Sequence, residues 1–111
     1  MSRGDEKYAV RRKSPRVVGP FTARWLGAVT VPLVVHDLSV GGCLILGSAK
    51  MLPNGRITLE IDLPDRSCVQ VMAEPVGLRG KGFALKFVQV APGTVLQLQR
   101  SIDELLQRQS K

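Results

Sequence analysis

The chain has 111 residues, 44% of them hydrophobic and 23% charged, which is one globular domain with a single modest core and leaves no room for two. No apolar run approaches the ~20 residues of a membrane span, and the opening MSRGDEKYAVRRK has no apolar signal core, so a cytoplasmic location is expected. The net charge of +7 is concentrated early: up to Arg24 there are seven basic residues (Arg3, Lys7, Arg11, Arg12, Lys13, Arg16 and Arg24) against only Asp5 and Glu6.

The first segment in chain order is therefore a basic arm, residues 1–19, with few apolar anchors and an expectation of mobility. An arm of this charge fits an anionic partner such as a nucleotide, a nucleic acid or a membrane surface, or else serves solubility alone. Residues 20–111 then read as short strands. FTARWLGAV and VPLVVHDL supply two, CLIL a short third, and RITLEIDLP a fourth that alternates Ile57, Leu59, Ile61 and Leu63 against Thr58, Glu60 and Asp62. CVQVMAE is the fifth, with Pro75 expected to end it or to mark an edge. GFALKFVQV is the sixth, and the segments LPNG, LPDRS and GLRGKG provide the turns.

The period then changes. In PGTVLQLQRSIDELLQRQ, Val95, Leu98, Ile102, Leu105 and Leu106 recur at helical spacing, with Thr94 expected as the cap. Six short strands and a terminal amphipathic helix predict a mostly β fold: a six-stranded antiparallel β-barrel with a C-terminal α-helix and a flexible N-terminal arm.

Two stretches carry chemistry. In VRRKSPRVV, Pro15 biases Ser14 toward extended torsions, and alternation then puts Arg12, Ser14 and Arg16 on one side with Arg11 and Lys13 on the other. Arginine forks pair bidentately with phosphate or with the guanine edge, and their planes stack on bases. In VVHDLSVGGCLI, Asp37 and Ser39 lie two apart at a strand end, followed by Gly41 and Gly42, which permit positive φ and close approach of a ligand to the backbone. A carboxylate accepts from the N1–H and N2 amine of guanine, a capacity a phosphate-only site would not need. Asp and Ser before glycine are also ordinary turn formers.

The pairing of RxxxR, from Arg12 to Arg16, with DxSxxG, from Asp37 to Gly42, resembles the PilZ domain family of bacterial cyclic di-GMP receptors. LEIDLP and GFALKF followed by a terminal helix are similar to that family too. The resemblance implies a six-stranded barrel in which Arg12 and Arg16 grip guanine and phosphate groups while Asp37, Ser39, Gly41 and Gly42 line the opposite wall. It associates an arginine just before RxxxR, here Arg11, with a stacked pair of cyclic di-GMP molecules, so two ligands per chain are expected. The expected protein is a monomer whose arm closes over the ligand and whose state is read by a downstream protein, and with no constellation of nucleophile, base and oxyanion donors in the sequence no catalytic activity is expected. The alternatives are a small basic barrel for single-stranded nucleic acid, for which one Trp, one Tyr and three Phe leave few stacking platforms, and a ligand-free interaction domain of the same fold.

Other signals are discounted. GLRGKGF lacks the spacing and following hydroxyl of a phosphate loop. His36 has no nucleophile partner at a plausible spacing, and Trp25 is assigned to packing. Cys43 and Cys68 are expected as buried free thiols, and with His36 they are too few and wrongly spaced for zinc.

Overall fold

Strand β1 (Val17–Leu26) opens a computed structural model that describes residues 15–109. It is followed by β2 (Val31–Ser39), β3 (Gly42–Leu46), a 3-10 turn (Ala49–Met51), β4 (Ile57–Asp62), β5 (Cys68–Arg79), β6 (Gly82–Gln89) and α1 (Pro92–Gln109). Every strand pairing is antiparallel, and the order β1-β2-β3-β6-β5-β4 closes on itself, as the alternating patterns predict. Closure leaves no sheet edge, which suits strands this short.

The interior follows from alternation. In β4, Ile57, Leu59 and Ile61 are buried while Thr58, Glu60 and Asp62 are partly exposed, and in β6 Phe83 and Leu85 turn inward. Phe83 is fully buried opposite Ile45, and Leu59 stands opposite Val71. One end of the barrel is covered by α1, which buries Leu98 and Ile102 against the core, with Leu105 and Leu106 partly buried beside them. Near its end the side-chain amide of Gln109 imitates a strand partner: its nitrogen donates to the Val18 carbonyl at 2.8 Å, and its oxygen accepts from the Val18 N–H at 3.3 Å. This occurs where β1 has not yet met β4, whose pairing starts at Ala23.

Four expectations need correction. The barrel begins at Val17, inside the expected arm, because Val17 is fully buried opposite Leu38. Thr94 lies within the helix, which starts at Pro92, a residue whose fixed φ suits a first helical turn. Cys43 is buried as expected, but Cys68 is exposed, because its strand position faces solvent beside buried Val69. Finally, Pro75 does not end its strand. It pairs with Leu85, and the register slips by one residue between Pro75 and Gly77, so the missing N–H falls at a bulge.

Candidate functional site

Two bulges shape one side of the barrel. In β2 the inward residues are Leu33, Val35 and Leu38, a spacing of two and then three. The break lies at His36: Val35 faces Ile45 and Asp37 faces Leu44, so β2 carries one residue more than β3. Plain alternation would have sent Asp37 into the core with Val35. The extra residue returns Leu38 to the interior and leaves Asp37 on the outer wall, beside exposed Val18. The second bulge, at Val76 in β5, pushes that side chain outward until it is 52% exposed.

Between these bulges an open cleft of about 630 Å³ runs across the outer wall. That volume lies in the range of about 300–1,000 Å³ typical of small-molecule sites. Its near side is the β2–β3 hairpin, with Ser39, Gly41 and Gly42, and Arg16 stands at the entrance to β1. The far side is built from Val76, Ala84 and two cations, Arg79 and Lys86.

The two sequence motifs meet here. Arg16 Nη1 donates to Asp37 Oδ1 at 2.8 Å across 21 residues of chain. The Asp37 side chain is 17% exposed and that of Arg16 60%, so the carboxylate is sheltered and most of the guanidinium stays open to solvent. His36 Nδ1 lies 3.3 Å from the other carboxylate oxygen, which gives the histidine a polar neighbour on the outer wall. Each carboxylate oxygen has two acceptor sites, so Asp37 retains accepting capacity beyond these contacts.

Ser39 is buried and donates its hydroxyl to the Gly42 carbonyl at 3.2 Å, tying the base of the hairpin. The glycine pair works differently from expectation, since neither Gly41 nor Gly42 adopts a positive φ. At Gly42 the requirement is proximity, because a methyl group would collide with the Leu85 carbonyl oxygen and lie 3.3 Å from Lys86 Cα. Gly41 has open space where a side chain would stand, and its carbonyl accepts from Phe87 N–H at 2.9 Å. Cys43 lies behind the hairpin, where burial pushes its thiol up to about 12, with the negative charge of Asp37 adding to the effect. Such a thiol is a packing group.

Of the expected site residues, Arg16, Asp37, Ser39, Gly41 and Gly42 are therefore brought together, while Arg11 and Arg12 lie outside the described residues. Arg79, Lys86 and Val76 were not anticipated. The discounted GLRGKG segment contributes Arg79, and the signal for Val76 was the proline before it. A separate polar cluster lies on β1 and β4: Arg24 pairs with Glu60 at 2.7 Å and bidentately with Asp62 at 2.7 and 3.0 Å, and the Thr22 hydroxyl donates to Asp62. It forms a fully paired surface network. Among the described residues no group of three or more His, Cys, Asp and Glu is placed to hold a metal, and no helix is long and apolar enough to cross a membrane.

A closed antiparallel barrel, packed against a helix and carrying a basic cleft on its outer wall, defines a small β-barrel domain with a candidate ligand site. The chain belongs to the PilZ domain family, whose model matches residues 10–104. The fold is similar to the PilZ domain of YcgR from Escherichia coli solved with c-di-GMP, at 20% identity and a TM-score of 0.67, covering 88% of this chain and 93% of that one. A second structure, YcgR from Escherichia coli in complex with c-di-GMP, matches at 25% identity and a TM-score of 0.70 over 90% of this chain and 47% of that chain. The inhibitor of motility MotI/DgrA from Bacillus subtilis matches at 16% identity and a TM-score of 0.69, covering 89% of this chain and 51% of that one. No curated protein matches the sequence.

Proposed function

We propose that the cleft is a cyclic di-GMP site and that the chain is a non-enzymatic cytoplasmic receptor for this ligand. The observation that carries the reading is the Arg16–Asp37 pair, which joins the two motifs at the mouth of a cleft lined by Ser39, Gly41 and Gly42. Membership in the PilZ family and the c-di-GMP named with two of the similar structures support it.

In this reading Arg16 and Arg12 supply forks for phosphate and for the guanine O6/N7 edge. Asp37 accepts from N1–H and the N2 amine, and the close-packed backbone at Gly42 lets a planar base lie against the hairpin. Arg11 holds a second ligand molecule. The basic N-terminal arm closes over the bound pair, and a downstream protein reads the resulting change of shape and charge on a monomeric domain.

Titration calorimetry at moderate salt tests the reading, with cyclic di-GMP and a single-stranded oligonucleotide as rival ligands. Saturable binding of cyclic di-GMP in preference to the oligonucleotide is expected. Tighter binding of the oligonucleotide would replace this reading with the nucleic-acid one, and binding of neither would leave an interaction domain.

A further inference from the structure

The far wall of the cleft carries two cations that the roles above do not use. Arg79 ends β5 and Lys86 sits within β6; both are exposed and both line the cleft. Neither makes an ion pair among the described residues, whereas Arg16, Arg24 and Arg56 all do.

For Lys86 the missing counter-charge follows from the strand pairing. Its partner across β5 and β6 is Glu74, the position from which an acid would ordinarily compensate a lysine. That carboxylate is turned instead to Arg56, which donates to Glu74 Oε2 from Nη2 at 2.8 Å and from Nε at 3.2 Å. Lys86 is left facing the cleft with its charge free.

Arg79 is held by its own strand. Its Nη1 donates to the Leu78 carbonyl at 2.8 Å, and a methyl group on Gly77 would lie 3.3 Å from that nitrogen. The guanidinium therefore folds back over Gly77, whose φ of 153° and missing side chain make room for it. Gly77 is the register partner of Ala84, which also lines the cleft. A small-residue floor thus carries a guanidinium anchored through one nitrogen, with its remaining donors unclaimed.

Strand order sets the spacing of the two rims. Ser39 pairs with Gly42 and Gly42 with Lys86, so β1, β2, β3 and β6 are consecutive neighbours. Arg16, just before β1, and Lys86, on β6, therefore approach the one cleft from different strands, and both line it. Long side chains reaching inward from both rims embrace a ligand with anionic groups on two sides, which a single phosphate does not provide.

We propose that Arg79 and Lys86 form a second anion subsite, receiving a phosphodiester of the ligand on the side away from Arg16. This rests on the cyclic di-GMP reading and extends it: the barrel wall as well as the arm reads the phosphates, so the site selects for a ligand with two of them.

The test is calorimetric titration of the full chain with cyclic di-GMP at low and moderate salt, using Lys86→Ala, Arg79→Ala and Lys81→Ala. Lys81 is exposed in the turn between β5 and β6 and does not line the cleft, so its loss removes equal charge without touching the subsite. Loss of a charge-assisted contact predicts about tenfold weaker binding in each of the first two variants. Lys81→Ala should bind like the parent, and Lys86→Arg should restore affinity. All exchange exposed side chains, and unchanged thermal melts would establish that the fold is intact. Parent-like affinity in both Lys86→Ala and Arg79→Ala overturns the subsite while leaving the ligand assignment standing. An equal loss in Lys81→Ala overturns it in favour of general attraction by net charge. A parent chain that does not bind cyclic di-GMP overturns the ligand reading itself, and the subsite with it.

Discussion

Arg16 and Asp37 are bonded at 2.8 Å with very unequal exposure, 60% for the arginine side chain and 17% for the acid. The acid is the anchored partner, fixed by the bulge at His36. The arginine is the movable one, on the last residue before β1. On the cyclic di-GMP reading, a ligand entering the cleft would meet a carboxylate already in place and a guanidinium with most of its surface open to a phosphate.

Arg16→Ala should therefore weaken cyclic di-GMP binding by ~1–3 kcal/mol, about five- to 150-fold. Because an exposed ion pair contributes roughly 0–1 kcal/mol to stability, the melting temperature should hardly move. Calorimetry and thermal melts on the same variant check both halves. Parent-like affinity would remove Arg16 from the site.

Asp37→Ala should weaken cyclic di-GMP binding more than cyclic di-AMP binding, since adenine has no N1 proton or N2 amine to donate. Competition between the two dinucleotides decides the matter. Equal losses would restrict Asp37 to holding Arg16.

Gly42→Ala and Gly41→Ala make a sharper pair. A methyl at Gly42 runs into the Leu85 carbonyl and must push β3 from β6, whereas at Gly41 it meets nothing within 4 Å. The first should destabilise by about 1–3 kcal/mol, the usual cost of overpacking, and the second should be near neutral. Urea denaturation measures both, and a tolerated Gly42→Ala would contradict the close strand contact.

The two thiols should separate cleanly. Cys68 is exposed, while Cys43 is buried with its thiol pushed up to about 12. A thiol reagent near neutral pH should modify Cys68 promptly and Cys43 only on unfolding. Rapid modification of Cys43 would show that the hairpin opens readily.

Acid should loosen the β1–β4 seam. The hydrogen bonds from Arg24 and then Thr22 hold the Asp62 carboxyl down to about 2, below its usual value near 4. A depressed carboxylate contributes stability that is complete above its unfolded pKa and is lost as pH falls toward the folded value. Stability should thus decline between about pH 4 and pH 2, modestly because both partners are partly solvated. Asp62→Asn should flatten that limb in urea titrations across pH, and an unaltered slope would assign the acid sensitivity elsewhere.

Most of the barrel could be read from alternation, because Ile57, Leu59 and Ile61, or Phe83 and Leu85, state their facing by period alone. Bulges were the harder part. The spacing of Leu33, Val35 and Leu38 already contains the slip at His36, but a change of parity becomes meaningful only once Ile45 and Leu44 stand opposite. Pro75 was read by its missing donor and so as a strand end or an edge position, when one slipped residue disposes of the same problem. Asp37, Ser39 and the glycines were legible through their motif. Arg79 and Lys86 were not, since lysine or arginine at an outward position looks like any solvated charge. What marks Lys86 is that Glu74 has turned toward Arg56, and what marks Arg79 is its fold back onto the Leu78 carbonyl, choices no linear spacing reveals.

The clasp of Gln109 on both backbone groups of Val18 places the way into the barrel and the way out of its helix side by side. A unit whose entry and exit adjoin can be spliced into a turn of another protein as a cassette, with little gap for the host to bridge. The seam of that splice would lie two residues from Arg16.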